Sequence, residues 1–305
     1  MPEYIPLPDE RNREIMVWID GNLYPRDEAK ISVFDSVVQG GDAVWEGLRV
    51  YNGRIFKFEE HLDRLFHSAH AMAFEGVPSR DDVKRAVFKT LEVNGQMDET
   101  HIRLTLTRGR KVTSGMSPHW NKYGCSLIVL AEWKKKIFDG KMLRLISSSI
   151  RRNPPMCIDS KIHHNNLINN ILAKIEANVA GVDDAVMLDL YGFASETNAM
   201  NLFIVKDGKL FTPFADACLP GITRATILRI AAEKKFPHGE KNLSITELYT
   251  ADECFTTGSM GEVSPVAEID GRRIGTGRVG PITEQFQSWY TELTATEGES
   301  IVLSS

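Results

Sequence analysis

The sequence predicts a mixed α+β protein of hairpins and amphipathic helices, not a doubly wound parallel sheet. Three observations carry this. Two-residue turns recur between apolar runs, at Asp20-Gly21, Asn52-Gly53, Asp207-Gly208 and Asp270-Gly271. One segment alternates strictly, with Ile102, Leu104 and Leu106 on one face and His101, Arg103, Thr105 and Thr107 on the other. Between the hairpins, apolar residues return at three and four residue steps, the period of a helix with one buried face.

The chain has 305 residues, enough for one large domain or two moderate ones, and its 42% hydrophobic and 25% charged content suits a soluble globular protein. The formal net charge is −5 and the lysine triplet at 134–136 is the only basic run, which argues against a nucleic-acid partner. Cys125, Cys157, Cys218 and Cys254 lie far apart, without the close pairs of a zinc site or redox dithiol, as expected of a reducing compartment. The first residues lack the basic and apolar regions of a signal peptide, and no apolar run approaches a membrane span. A cytoplasmic protein is the expectation.

In chain order, residues 1–14 are polar and proline-rich and read as a surface arm. Residues 15–19 and 22–24 form a first hairpin, and 49–51 with 54–58 a second. Between them Gly40-Gly41 permits a sharp turn or a close approach, as any loop entering a strand does. Residues 59–73 read as a helix with Leu62, Leu65, Phe66, Ala69 and Met72 on one stripe, which leaves Arg64 facing solvent or a cleft. His67 and His70 stand three apart, nothing nearby completes a ligand set, and no metal is expected. Ser79 caps a helix over 80–94 that Gly95 closes. The alternating strand at 100–108 and a strand at 125–131 follow. The composition of 133–140 places a join there, between domains 1–132 and 141–305.

The second half opens with a strand at 143–148 and reaches Lys161, which taken alone is a solvated amine or a salt-bridge partner. A helix follows, with Leu167, Ile168, Ile171, Leu172, Ile175 and Val179 as its core-facing stripe, Asn165 or Asn166 as its cap and Gly181 as its end. Glu196 comes after a short strand and a turn at Gly192, where a loop side chain can point into a cleft. A hairpin at 202–211 precedes Leu219-Pro-Gly-Ile-Thr-Arg224, a glycine turn running into a helix start, where free N–H groups and the helix dipole converge. Most such turns bind nothing. Ser244 to Glu247 is a capping box, and a strand at 253–256 ends at Thr257-Gly-Ser-Met-Gly261, a turn rich in backbone N–H groups. A hairpin at 266–274 leads to a last helix opened by Pro281, with Ile282, Phe286, Trp289, Tyr290 and Leu293 facing the core.

Several of these pieces occur in a telling order: Val44-Trp-Glu-Gly-Leu-Arg49, His61-Leu-Asp-Arg-Leu65, Lys161 with Asn165 and its helix, and Glu196 before Asn201-Leu-Phe203. Leu219 to Arg224, Phe255 to Ser259 and Glu262-Val-Ser-Pro265 complete the set, which covers about residues 15 to 290. Together they resemble the class IV aminotransferases, the fold-type IV enzymes that use pyridoxal phosphate, and among them the branched-chain amino-acid aminotransferases most of all.

The resemblance implies a small N-terminal α/β domain, a larger C-terminal barrel-like domain and a homodimer or higher homo-oligomer. It implies pyridoxal 5'-phosphate held covalently by Lys161, whose amine then moves the proton at the substrate Cα. Glu196 would partner the ring nitrogen, and Arg64 would grip the phosphate in bidentate fashion. Ile222, Thr223 and Ser259 would surround the other phosphate oxygens, with Leu219 against the ring. Implied substrate contacts are Gly40, Trp45, Arg103, Met260 and Gly261. The chain departs from its branched-chain relatives at Asn166, where they place an aromatic, and at Gly40 and His101, where they place tyrosines. A wider, more polar pocket is expected, with an acid-bearing substrate anchored by Arg103 or by the backbone near Met260. The expected reaction moves an amino group between an amino acid, branched-chain type favoured, and a 2-oxo acid. D-amino-acid or (R)-amine transamination, aminodeoxychorismate lysis and a catalytically silent binding module are the alternatives.

Overall fold

The computed structural model describes residues 5–137 and 140–301. Residues 1–4 of the expected arm, 138–139 of the expected join and 302–305 of the expected second domain lie outside the described residues. The chain divides into two compact units, one of Met1–Lys135, His163–Asn166 and Glu297–Ser305, the other of Lys136–Ile162 and Leu167–Thr296. Two short segments from late in the sequence thus belong to the first unit.

In the first unit β1 (Met16–Ile19) and β2 (Asn22–Pro25) form the expected hairpin, with Asp20 at φ 48° and Gly21 at φ 91° as a primed turn requires. A short helix α1 (Ser36–Gly40) precedes β3 (Ala43–Tyr51) and β4 (Arg54–Ile55). The helices α2 (Phe58–Ala71) and α3 (Arg80–Asn94) then lead to β5 (Thr100–Thr107) and β6 (Ser126–Trp133). The return arm of the second hairpin is shorter than expected, because Lys57 turns the chain at φ 52° and Phe58 already opens α2. Helix α3 begins on a reciprocal Ser79–Asp82 capping box and ends at a left-handed Gly95, as its spacing predicts.

The seven-stranded antiparallel sheet runs Glu299–Ser300, β4, β3, β5, β6, β1, β2. Pairing of β3 with β5 from Ala43↔Thr107 to Val50↔Thr100 puts Val44, Glu46 and Leu48 on the same face as Ile102, Leu104 and Leu106. All six are fully buried. Trp45, Gly47, Arg49, His101, Arg103 and Thr105 share the other face.

The second unit begins with β7 (Leu143–Ser147), α4 (Ile168–Val179), β8 (Asp184–Leu188) and β9 (Ala194–Thr197). The hairpin β10 (Asn201–Lys206) and β11 (Lys209–Thr212) follows, then α5 (Ile222–Glu233), β12 (His238–Glu240) and α6 (Ile245–Tyr249). Last come β13 (Glu253–Gly258), β14 (Glu262–Ile269), β15 (Arg272–Arg273) and α7 (Pro281–Thr296). Nine strands form one sheet in the order β12, β11, β10, β13, β14, β7, β8, β9, with β15 paired to β14. The end strand β9 comes back to the start of β10, where the Thr197 N–H donates to Met200 O at 2.7 Å, so the sheet curls into a half barrel. Leu143, Leu145, Val186, Leu202, Ile204, Val266 and Ile269 fill it. On the other side of β10 and β13, Phe203 and Phe255 stack at 5.1 Å, and Phe286 of α7 tilts against Phe255.

Helix α4 corrects two expectations. Its cap is Leu167, with no side-chain bond, because the Asn165 N–H is drawn onto Ala43 O (2.8 Å) and His164 bridges Val44 in the first unit. Its apolar stripe faces outward: Ile168, Ile171, Leu172, Ile175 and Val179 are 65%, 53%, 44%, 49% and 84% exposed. Ala173 and Ala177 are the residues turned inward, against Ala185 and Met187. Small side chains let the helix lie close to β8, and that choice leaves the large ones on the far side.

One loop closure depends on a missing side chain. Gly109 sits at φ +93°, and a Cβ built there falls 1.8 Å from Gly124 O. Its own carbonyl accepts from Ser36 and from Asn121 Nδ2. Gly109→Ala should therefore lower the melting temperature by about 4 °C or more, given typical costs of a forbidden backbone site. An unchanged melt would show that the 109–124 loop shifts freely.

Candidate cofactor and active site

A stretch of four residues between β11 and α5 ties the candidate residues of the second unit together. Lys161 Nζ donates to Asp216 O at 3.3 Å, and Ser195 Oγ donates to Ala217 O at 2.8 Å. The Leu219 N–H reaches Glu196 Oε1 at 3.4 Å, while Leu219 O accepts from Asn201 Nδ2 at 2.9 Å. Cys218 is buried among them, its thiol pushed up to about 12, first by burial and then by the Glu196 charge. Lys161, Glu196 and the entry to α5 are thereby fastened to one short segment, although 35 residues separate the first two in sequence.

Glu196 lies on β9 with its side chain 6% exposed, in an ion pair with an equally buried Arg152, Nε to Oε1 at 2.7 Å. Asn201 Nδ2 approaches the other oxygen at 3.3 Å. Arg152 is held in turn by Asn169 Oδ1 at 3.1 Å, and its backbone N–H donates to Leu188 O. Sequence reasoning passed over this arginine. The faint signal was a doubled arginine just before Asn153-Pro-Pro, in a segment otherwise unassigned.

Helix α5 starts at Gly221 with no side chain capping it, unlike α3 and α6 with their capping boxes. The backbone N–H groups of Ile222 and Thr223 open that helix. Gly221 has no room for a Cβ, which would lie 2.0 Å from Asn201 Oδ1. Across the ladder from Asn201 stands Thr257, 1% exposed, whose Oγ1 is buried without a hydrogen-bond partner. Cross-strand partners project to the same side, so this hydroxyl shares a face with Asn201. Ser259, Met260 and Gly261 form the turn into β14, which Glu262 enters at φ 49°. Met260 O accepts from the Ile137 N–H, and a Cβ at Gly261 would meet Met200 Sδ at 2.6 Å.

The remaining candidates belong to the first unit. Arg64 faces β3 from α2 and meets Glu46 with both edges of its fork, Nε–Oε1 at 2.8 Å and Nη2–Oε2 at 2.7 Å. His61 Nδ1 at 2.6 Å and His163 Nδ1 at 3.1 Å complete the surroundings of that carboxylate. Burial opposes its charge, but Arg64 and His163 outweigh burial and hold it well below the usual carboxylate range. On the opposite face the Arg103 guanidinium lies 3.3 Å over the Trp45 ring and donates to Asn165 Oδ1 at 2.9 Å. Burial pushes Arg103 down to about 10, with Glu46 acting the other way. His101 is pushed down to about 3, by burial and then by Lys134, Arg103 and Arg49. A Cβ at Gly47 would lie 3.2 Å from His101 Nε2 and 3.3 Å from the Trp45 ring. Gly40 ends α1, and Gly41 beside it lies against Asn166.

Residues 43–269 match the family model of the amino-transferase class IV. The chain is 57% identical to the branched-chain-amino-acid aminotransferase-like protein 2 of Arabidopsis thaliana over 98% of its own length, but spans about half (54%) of that longer protein. It is 35% identical to the branched-chain-amino-acid aminotransferase of Pseudomonas aeruginosa, covering 95% of this chain and 96% of that one. It superposes with a TM-score of 0.86 and 33% identity on the T.th. branched-chain amino acid aminotransferase complexed with N-(5'-phosphopyridoxyl)-L-glutamate, over 92% of this chain and 94% of the other. The mixed α+β architecture with a curled second sheet is that of the fold-type IV aminotransferases, as expected.

The shifted histidines set an acid limit. His101 and His163, pushed by burial to about 3 and about 4, stay neutral in the folded protein while the unfolded chain takes up protons below 6.5. The unfolded state therefore binds more protons in that window, and stability falls as pH drops from 6.5 toward 4. Buried Asp184, raised to about 6, works in the opposite sense between 6 and 3.8, favouring the folded state as pH falls. Asp35, also raised by burial, acts with Asp184, but the two histidines carry the larger shifts. The melting temperature should drop between pH 7 and pH 5, and His101→Asn should flatten that drop. An equal drop in the variant would assign the acid sensitivity elsewhere.

Proposed function

From the premise that the chain belongs to the class IV aminotransferase family, we propose a pyridoxal-phosphate-dependent aminotransferase acting between an amino acid, of branched-chain type by preference, and a 2-oxo acid. One arrangement carries the reading. Lys161, the ion-paired Glu196 and the uncapped start of α5 are all fastened to Asp216–Leu219. An amine, a fixed buried carboxylate and an anion-accepting helix end are the three anchors a phosphorylated pyridine aldehyde requires.

The donor set fits that cofactor. Thr257 Oγ1 is a buried hydroxyl in want of a partner on the same face as Asn201, whose side chain abuts Gly221 at the head of α5. The N–H groups of Ile222 and Thr223 and the Ser259 hydroxyl would hold the phosphate, Arg64 would add its charge as the family reading assigns, and Leu219 would lie against the ring. When bound, pyridoxal phosphate supplies an aldehyde that takes up the amino group and a ring that draws electrons from the substrate Cα. Lys161 Nζ would hold the cofactor covalently and would then carry the proton on and off that Cα. Glu196 would keep a proton on the ring nitrogen by opposite charge, while Arg152 and Asn201 hold its carboxylate in place.

Arg103 is proposed to anchor an acidic group of the substrate, with the backbone of Met260 and Gly261 as the alternative anchor. It stacks on Trp45 and bonds an amide, and no carboxylate within salt-bridge distance is among its partners in the described residues. Gly40, Asn166 and the neutral His101 widen the polar side of the pocket in this reading. Self-association is proposed through the exposed stripe of α4, since five large apolar residues in one row rarely stay in water. The cytoplasm is the proposed compartment, in keeping with four unpaired cysteines. No described helix is long and apolar enough to cross a membrane.

Four measurements test this. The purified protein should be yellow, and borohydride should fix phosphopyridoxyl on Lys161 but not in Lys161→Ala; a colourless protein that takes up no added cofactor would overturn the proposal. Glu196→Gln should melt lower, because buried Arg152 loses its partner, and should lose about a hundredfold or more in turnover, since an amide holds no charge against the ring nitrogen. The bound cofactor should cycle between aldehyde and amine forms with L-leucine or L-glutamate and a 2-oxo acid, whereas pyruvate release from aminodeoxychorismate without cycling would make it a lyase. In light scattering, Ile171→Glu with Ile175→Glu should shift the protein toward the monomer mass; an unchanged mass places the interface elsewhere.

A further inference from the structure

We propose that Glu46 is a positioning residue that sets the orientation of Arg64 toward the cofactor phosphate. The inference rests on the proposed cofactor and on Arg64 meeting its phosphate, and it concerns a residue that makes no contact with either in the reading above.

Glu46 stands where packing alone asks for an apolar side chain. It is fully buried on the interior strand β3, between Val44 and Leu48 and across from Leu104, all equally buried. A carboxylate there survives only because every side of it is answered. Arg64 lies side-on, with two nearly parallel bonds of 2.8 and 2.7 Å, and His61 and His163 each bring Nδ1 to one oxygen. Side-on pairing fixes the guanidinium plane as well as its distance, which a single bond would not do. His61 and Arg64 stand one turn apart on α2, so one carboxylate reads two positions of that helix face. The His163 end is braced too, its N–H on Ser68 Oγ at 3.1 Å and its ring 4.1 Å from the Trp45 ring.

A bond that served only to tie β3 to α2 would need none of this directionality, because buried apolar residues would do it without desolvating charges. What the arrangement secures is the pose of a long, flexible cation. Arg64 carries several rotatable bonds, and an arginine that must find its pose on each encounter grips an anion less well than one already held.

The test compares phosphorylated and unphosphorylated cofactor on the full chain. Apo-protein of wild type, Arg64→Ala, Glu46→Gln and the double variant is titrated with pyridoxal phosphate and, separately, with pyridoxal, read by absorbance of the bound form. Thermal melts of each apo-protein are recorded in parallel. Both single variants are expected to weaken pyridoxal phosphate about tenfold or more, and pyridoxal by less than about threefold, in line with loss of a charge-assisted bidentate contact. The double variant should be no weaker than Arg64→Ala, since Glu46 acts only through that arginine. If Glu46→Gln does not fold, Glu46→Asp, which keeps the charge but shortens its reach, takes its place with the same expectation. Equal loss of both ligands, additive losses, or an unchanged ratio in the Glu46 variant would overturn the positioning role. An unchanged ratio in Arg64→Ala would instead strike at the phosphate assignment itself, and the role of Glu46 would fall with it.

Discussion

The ion pair between Arg152 and Glu196 is the constraint on which the second unit's chemistry depends. Each charge is nearly sealed from water, and desolvating an ion costs several kcal/mol, so such a pair is seldom a net source of stability. Here the surrounding bonds offset that cost: Asn201 on one oxygen, the Leu219 N–H near the other, Asn169 on the guanidinium. The same bonds carry the fold of the segment from Asp216 to Leu219, which has no regular structure of its own and must satisfy its backbone groups through side chains. Site and segment are one network. A carboxylate kept in place this way is of most use opposite a ligand cation, which is the role proposed for it.

The first unit buries a charge by a different logic. Glu46 sits in a sheet face that is otherwise aliphatic, and its partners come from a helix face and from the returning segment at His163. Because His163 through Asn166 are bonded to β3 at Trp45 and Ala43, the backbone of that return is as fixed as a strand. Asn165 then serves Arg103 with its side chain, where sequence spacing gave it a helix cap.

On the other face of the same sheet, a tryptophan ring, a stacked guanidinium and a neutral imidazole stand side by side. Stacking removes one face of Arg103 from water without neutralising it, so its charge is available to an acid while its position is set by the ring. His101, hemmed by Lys134, Arg103 and Arg49, contributes hydrogen-bonding atoms and no charge. Arg49 on the same face and Lys134 near His101 add further positive charge to this wall.

Much of this was legible from the amino-acid order. Primed turns announced the hairpins, because Asp-Gly and Asn-Gly accept positive φ and force adjacent strands to pair. Ser79 and Ser244 with their acidic partners marked helix starts, because capping is satisfied within four residues. Lys161, Glu196 and the Leu219 turn were recognisable as a motif set, though nothing local shows that they meet. Other features needed the tertiary structure. Arg152 became a partner of Glu196 only when β9 was laid beside the chain before Lys161, a contact across 44 residues that no spacing rule encodes. The period of α4 revealed an apolar stripe but not its direction, because Ala173 and Ala177 allowed close packing on β8 and turned the larger residues outward. Local periodicity depends on neighbours in sequence, whereas burial depends on which surfaces the whole chain brings together, and that is decided only in three dimensions.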